Sequence, residues 1–339
     1  MQMLSRRHVL ATGLAAAGVG LTRPAIAQQL ASTTVANAAG NVNITLQQML
    51  KDLNLYEKYG LKPNLMAVAD GSKIMGGLIG GDIDSSMMSG FGQIFPAIEK
   101  GAKLKMIGGC QMMPSLTLFT SKDDVRTLKD LEGKTIGTGS IGALLHQLCV
   151  ALLVKNGVDV NKVRFVNIGA SGDVFRAAIM GTIDAGTGET AVLEDMELFP
   201  KLRMVEGGNM TTGLAEYTYQ GAWTSDRIIQ SKRDMLVRTL AAHAELYRYL
   251  HTPAAKADFL KARAKMLPNS TEKEGLSQWD YIQHYKPYAV DLVLSDERLA
   301  YIQKINVETK VQSAIMPTER VADMTIARDA LALLAKMKG

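Results

Sequence analysis

Gly71-Ser72-Lys73-Ile74-Met75-Gly76-Gly77-Leu78-Ile79-Gly80-Gly81-Asp82-Ile83-Asp84 has an echo one hundred residues later in Ser171-Gly172-Asp173-Val174-Phe175-Arg176-Ala177-Ala178-Ile179-Met180-Gly181-Thr182-Ile183-Asp184. Each copy opens with small polar residues, runs into a short apolar helix, stops at a glycine and begins a strand at Ile-Asp. The echo predicts two similar α/β lobes in one chain. Lobes that face each other, with helix starts at their strand ends, bound a cleft for a small solute.

Outward from these copies the pattern alternates strand and helix. The first lobe reads as a strand over 32–38, a helix over 44–59 with Asn43 as its N-cap, a strand over 61–69, the helix after Gly71, a strand over 83–88, a helix ending at Gly101 and a strand over 103–109. After a strand over 115–121 with no helix before it, the alternation restarts: strands over 134–138 and 163–168, helices over 140–155 and 172–180, a strand from Ile183 and a helix over 190–198. The aromatic, extended run 216–224 reads as a return crossing, and the chain beyond Asp226 is helical in pattern with breaks at prolines. The predicted organisation is a discontinuous first lobe, 31–120 plus 221–339, and a continuous second lobe, 121–220, joined by a two-strand hinge with mainly parallel sheets.

The first 27 residues read as a cleavable export signal. Ser5-Arg6-Arg7-His8 is a twin-arginine start, residues 9–21 are apolar or small apart from Thr12, and Ala25-Ile26-Ala27 suits cleavage before Gln28. Its loss removes Arg6, Arg7 and Arg23 and lowers the formal charge from +5 to +2. Lysines and acids interleave thereafter without a basic block, so nucleic acid is not an expected partner. Nor is direct membrane insertion, because no later run is long and apolar enough to span a bilayer. Cys110 and Cys149 fall in different lobes and read as buried free thiols, and the histidines lack metal-ligand spacing. No metal and no cofactor is expected.

Five pieces then carry a resemblance: Tyr56-Glu57-Lys58-Tyr59-Gly60-Leu61, Asp70-Gly71-Ser72, Gly81-x-Ile83-Asp84, Asp130-Leu131-x-Gly133-Lys134-x-Ile136-Gly137 and Gly181-x-Ile183-Asp184-Ala185. In order and spacing they resemble the ABC-transporter periplasmic substrate-binding proteins of the nitrate, sulfonate and thiamine-precursor group. The resemblance implies a bilobed type 2 periplasmic-binding-protein fold of two three-layer α/β lobes, with the helical C-terminal run as an extension. It implies a soluble monomer in the periplasm that captures one small organic or oxyanionic solute and delivers it to an inner-membrane ABC permease. Residues 34–40 lack the usual Gly-aromatic ending, and the cysteine-rich stretch of the thiamine-pyrimidine synthases of this fold is missing.

Helix starts supply free N–H groups and partial positive charge, which suit polar oxygens. The candidate ligand-binding residues are therefore Asn41, Gly71, Ser72, Ser89, Gly90 and Phe91 from the first lobe, Ser115 at the crossing, Ser140, Ile141, Gly142, Gly188 and Glu189 from the second, and Trp223 on the return crossing. Glu189 facing the cleft would suit a cationic amine and oppose a bare anion; capping its own helix is its other role. Trp223 suits either an apolar wall or the core. No nucleophile elbow, phosphate loop or dinucleotide fingerprint is present, so no enzyme is expected. A twin-arginine-exported redox enzyme with a bound cofactor, and a periplasmic sensor subunit, stay open as alternatives.

Overall fold

The computed structural model describes residues 30–337; the export-signal reading lies outside them. In chain order the elements are β1 (Ala31–Ala38), α1 (Asn41–Asp52), α2 (Leu55–Lys58), β2 (Leu61–Val68), α3 (Gly71–Gly80), β3 (Ser85–Ser89), α4 (Ile94–Glu99) and β4 (Leu104–Gln111). There follow β5 (Leu116–Thr120), β6 (Thr135–Thr138), α5 (Leu144–Lys155), β7 (Arg164–Asn167), α6 (Ser171–Ile179), β8 (Ala185–Glu189), a 3-10 helix (Thr190–Leu198), β9 (Arg203–Asn209), α7 (Met210–Gly213) and β10 (Gln220–Ser225). The remainder is helical: α8 (Asp226–Leu250), α9 (Lys256–Met266), α10 (Glu272–Tyr285), α11 (Asp296–Glu308), α12 (Thr318–Val321) and α13 (Thr325–Lys336).

The strands form two five-stranded sheets, β2-β1-β3-β10-β4 and β7-β6-β8-β5-β9. In each sheet four strands run parallel and one, β10 or β5, runs antiparallel between its two neighbours. The sheets are thus one pattern used twice, and the Gly-x-Ile-Asp echo is its hinge point. In the first lobe the Asp84 N–H donates to Thr34 O, and its carboxylate Oδ2 accepts from Thr34 N at 2.9 Å. In the second, Asp184 N–H donates to Thr135 O and Oδ2 accepts from Thr135 N at 2.8 Å. The main-chain oxygen of each aspartate also takes a threonine hydroxyl from the antiparallel strand, Thr224 at 2.5 Å and Thr120 at 2.7 Å. The motif is a clasp that ties three strands together where parallel pairing begins.

This pairing corrects the first lobe boundary. The strand 116–120 lies between β8 and β9 in the second sheet, so it belongs with the second lobe and not with residues 31–120. The chain crosses before it, at Met112–Ser115, and returns just ahead of β10. The physical reason is symmetry of strand supply: each sheet takes its antiparallel strand from chain that has just arrived from the other lobe.

Three local expectations also shift. The 44–59 helix is two, because Asn54 adopts φ +49 and breaks it after Asp52. Asn43 is not the cap; Gly40 is, and the Asn43 side chain instead donates to Ala38 O and Met88 O, holding the ends of β1 and β3 together. The helix expected from Ser140 begins at Leu144, after a turn in which Gly142 takes φ +82. Both cysteines are free and buried. The helices α8 and α13 pack apolar faces on the first sheet around Leu236, Leu240, Ile326 and Ala330. Among the described residues no helix is long and apolar enough to cross a membrane.

Asp184→Ala is expected to cost about 2 kcal/mol, since the Thr135 N–H loses a charged acceptor and its neighbours a tie point. Equilibrium urea unfolding measures this; an unchanged midpoint at constant slope would show that the clasp contributes nothing.

Candidate functional site

Four helix starts meet at one cavity: α1 and α3 from the first lobe, α5 and α6 from the second, entering through Gly40, Asp70-Gly71, Ala143-Leu144 and Ala170-Ser171. Its floor is the pair of crossings. Gln111 ends β4 and Gln220 begins β10, and the two are register partners, while Ser115 and Tyr219 sit beside them. The cavity volume is about 80 Å3, which at about 30 Å3 per water holds two or three waters.

The lobes already touch across this space. Ser140 Oγ donates to Asp70 Oδ2 at 2.8 Å, joining the α5 approach to the α3 cap. On one flank Gln147 Nε2 donates to Asn306 Oδ1 at 3.1 Å, and Asn306 Nδ2 donates to Gly92 O. On the other, Asp195 Oδ2 accepts from Ser277 Oγ at 3.0 Å and Oδ1 lies 2.9 Å from Lys273 Nζ. Glycine is required at the contact: a Cβ on Gly90 would stand 2.5 Å from that of Leu144. One on Gly71 would stand 2.6 Å from Gln93 Nε2, so the bare main chain lets the Gln93 amide lie over the α3 start.

The chemistry of the wall is acidic and amide-rich. Among the described residues its charged lining is two carboxylates, Asp70 and Glu189, with no lysine or arginine. Burial would raise the Asp70 carboxyl, but hydrogen bonds from Ser140 and from Ser72 outweigh it and hold the group below the ordinary range, ionised. Burial pushes Glu189 up to about 7, opposed by Arg263. Several polar atoms sealed from solvent have no partner: Gln93 Nε2 and Oε1, Glu189 Oε2 and Gln220 Oε1. Unpaired buried polar atoms are costly, and a bound solute or ordered water is the usual remedy.

Of the residues proposed from sequence, Gly71, Ser89, Gly90, Ser115, Ser140 and Glu189 line this cavity. Asn41 and Gly188 line a separate groove that shares Ser171 and Glu189 with it. Ser72, Phe91, Ile141, Gly142 and Trp223 line neither. The Ser72 N–H is taken by the Asp70 carboxylate at 2.8 Å. Phe91 is buried edge-on to Phe95 with centroids 5.9 Å apart. Ile141 is 61% exposed on the turn before α5, where Gly142 also sits facing open space. Trp223 is fully buried, its indole N–H donating to Ser89 Oγ at 2.8 Å. Ser72, Phe91, Ile141 and Gly142 lie at or before helix starts, where successive residues differ in direction and only some point inward, whereas Trp223 lies within β10 and turns into the core.

Sequence reading passed over Gln93, Gln111 and Gln220. The last two carried a signal, a single long amide at the end of a strand that contains glycine, in Gly108-Gly109-Cys110-Gln111 and Gln220-Gly221-Ala222-Trp223.

The sequence from 41 to 256 matches the family model described as NMT1/THI5 like. The chain belongs to the NMT1/THI5-like family. No curated protein matches it closely enough to count as a relative. Among solved structures, the NMT1/THI5-like chain is similar to the alkanesulfonate-binding protein SsuA from Xanthomonas axonopodis pv. citri bound to MOPS, with 18% identity, TM-score 0.69, and 88% of this chain and 98% of that one covered. It is similar to the periplasmic nitrate-binding protein NrtA from Synechocystis PCC 6803, with 9% identity, TM-score 0.71, and 90% and 89% covered. The desulfurization enzyme DSZB shares the fold at 14% identity and TM-score 0.56, over 89% of this chain and 99% of that one. The bilobed periplasmic-binding-protein architecture is therefore established, and at these identities the likenesses speak for the fold alone.

Glu189 makes stability depend on pH. Its folded value of about 7 lies above the ordinary 4.5, so the folded state holds the proton more tightly, and stability falls as pH rises from about 4.5 to about 7. The groups facing it are Arg263, Tyr219, Tyr281 and Tyr288. Glu189→Gln is expected to flatten that fall and to be the more stable protein at pH 8, by on the order of 2 kcal/mol. Thermal melts of both proteins between pH 5 and 8 give the comparison, and parallel curves would refute the assignment.

Proposed function

We propose that this NMT1/THI5-like protein is the exported solute-binding component of an ABC importer, working by capture between lobes and delivery to a permease, without catalysis. It acts in the periplasm as a soluble monomer. The family and the fold support the binding role, and the four helix starts converging on a space bounded by both lobes support the capture. A solute that touches both walls favours the closed arrangement by its differential affinity for it.

The observation that carries the reading further is the wall's charge. Two carboxylates and three glutamines, with no cation among the lining residues, oppose a bare oxyanion such as nitrate. They suit a small solute rich in N–H or O–H donors: an amine, an amidine, an aminopyrimidine or an amide. Helix dipoles alone would favour acceptors, but at α3 the dipole is already answered by the ionised Asp70 cap. Each charge-assisted hydrogen bond to Glu189 or Asp70 contributes about 1.5–3 kcal/mol, so two or three with modest apolar burial reach micromolar affinity, about −8 kcal/mol.

A thermal-shift screen of purified protein tests this. Small amines, amidines, aminopyrimidines and amides are expected to supply the hit and to stabilise the protein more than nitrate or methanesulfonate does. Gly90→Val, which places side-chain atoms where Leu144 must come, is expected to weaken the hit at least about tenfold in titration calorimetry while leaving the circular dichroism unchanged. A strain lacking the protein should fail to take up the same compound. Stronger stabilisation by nitrate or methanesulfonate than by any of the donor compounds, or undiminished affinity for the hit in Gly90→Val, would overturn the reading.

A further inference from the structure

Beside the cavity, on the far side of Glu189 and Ser171, lies a groove between α6 and the 3-10 helix of the second lobe and the α9–α10 turn of the first, with about 470 Å3 on the same measure. Into it comes Arg263, a residue 8% exposed whose Nε and Nη1 have no hydrogen-bond partner. Its Nη2 gives one bond, to Ser270 Oγ at 3.2 Å. A guanidinium buried this far almost always has a carboxylate or several acceptors, because desolvating it unpaired costs heavily.

The carboxylates nearby do not answer it. Asp195 is engaged by Ser277 and Lys273. Glu274 accepts from Ser270 Oγ and Thr271 N as the capping box of α10. Glu189 pulls on Arg263 electrostatically but makes no ion pair with it, and its own Oε2 is unpartnered. The other arginine of the groove, Arg176, is paired with Asp173. A buried guanidinium and a buried carboxyl group therefore share one wall without an ion pair between them, and each has atoms to spare. The starts of α1 and α6 add main-chain N–H groups on the same side, at Asn41 and Ser171-Gly172.

We propose that this groove is a second subsite of the same cleft, in which Arg263 takes the oxyanion end of a bipolar solute while the donor-bearing end lies in the cavity beyond Glu189. The oxyanion is a carboxylate, a sulfonate or a phosphate ester; all three present planar or tetrahedral acceptor sets to a guanidinium. The inference rests on the cavity being the solute site, and it adds the solute's second charge and its direction. It also gives Arg263 and Glu189 one role between them: to accept the two ends of a molecule that keeps them apart.

Inorganic sulfate is the probe. Wild-type protein is expected to gain thermal stability in sodium sulfate over sodium chloride at equal ionic strength, and calorimetry should give a saturable site. Arg263→Met keeps the stem and is expected to weaken sulfate at least about tenfold, with Arg263→Lys between the two. Sulfate binding that depends on Arg263 is read independently of the screen above, so failure of that screen with this binding intact would sink only the cavity reading. Should Arg263→Met not fold, Asn269→Asp, on the exposed rim of the groove, places a negative charge there and is expected to weaken sulfate severalfold. Equal stabilisation of wild type by sulfate and chloride, or sulfate affinity unchanged in the folded variants, would overturn the proposal.

Discussion

The exchange of one antiparallel strand between lobes is the constraint from which the rest of this structure follows. Because β5 and β10 each enter a sheet directly after crossing from the other, the two connections run side by side and the lobes must face each other across them. Parallel sheets present their helix starts at one edge, and facing lobes bring those edges together. The cavity is thus a by-product of strand supply. The aspartate clasp secures it, since Asp84 and Asp184 hold the antiparallel strand through a threonine hydroxyl while fixing the first parallel pair.

What the cavity then selects is decided by side chains added to that frame. Helix starts are indifferent among polar oxygens, and a cation in the wall would have made the site an oxyanion trap. Here the wall carries Asp70 and Glu189 instead, one kept ionised by hydrogen bonds and one raised by burial. The unpartnered amides of Gln93 and Gln220 lie among them. The positive charge has been placed outside, at Arg263, so that charge of both signs is buried in one cleft without being cancelled. Such separation costs free energy in the empty protein, and a bound solute that answers both groups offsets it.

Much of the scaffold was legible in the sequence. The repeat at Gly71–Asp84 and Ser171–Asp184 marked the two lobes because helix stop and strand start depend on local rules: glycine after an apolar run, then β-branched residues. The resemblance drew on the same pieces. Less of the site was legible. Asn43 looked like a cap and is a tie between strands, for capping depends on where the chain enters the helix. Ser140 looked like the first turn of α5 and lies before it, yet still reaches Asp70 from the other lobe. Trp223 offered an aromatic wall and went to the core, with its N–H satisfied by Ser89. The strand 116–120 carried no mark of its sheet, since both sheets want the same alternation of apolar residues.

The sequence by itself determined the kind of protein this is: period-2 and period-3.6 patterns with glycine stops are local, and they specify two α/β units of one design. Only the tertiary structure decided which side chains meet, because contacts such as Asp70 with Ser140, Gln147 with Asn306, and Glu189 near Arg263 join residues from 70 to 159 positions apart. No local rule sets the direction of a side chain at a helix start or the lobe to which a crossing strand is added. Those depend on how both sheets pack at once, and with them goes the charge of the cleft.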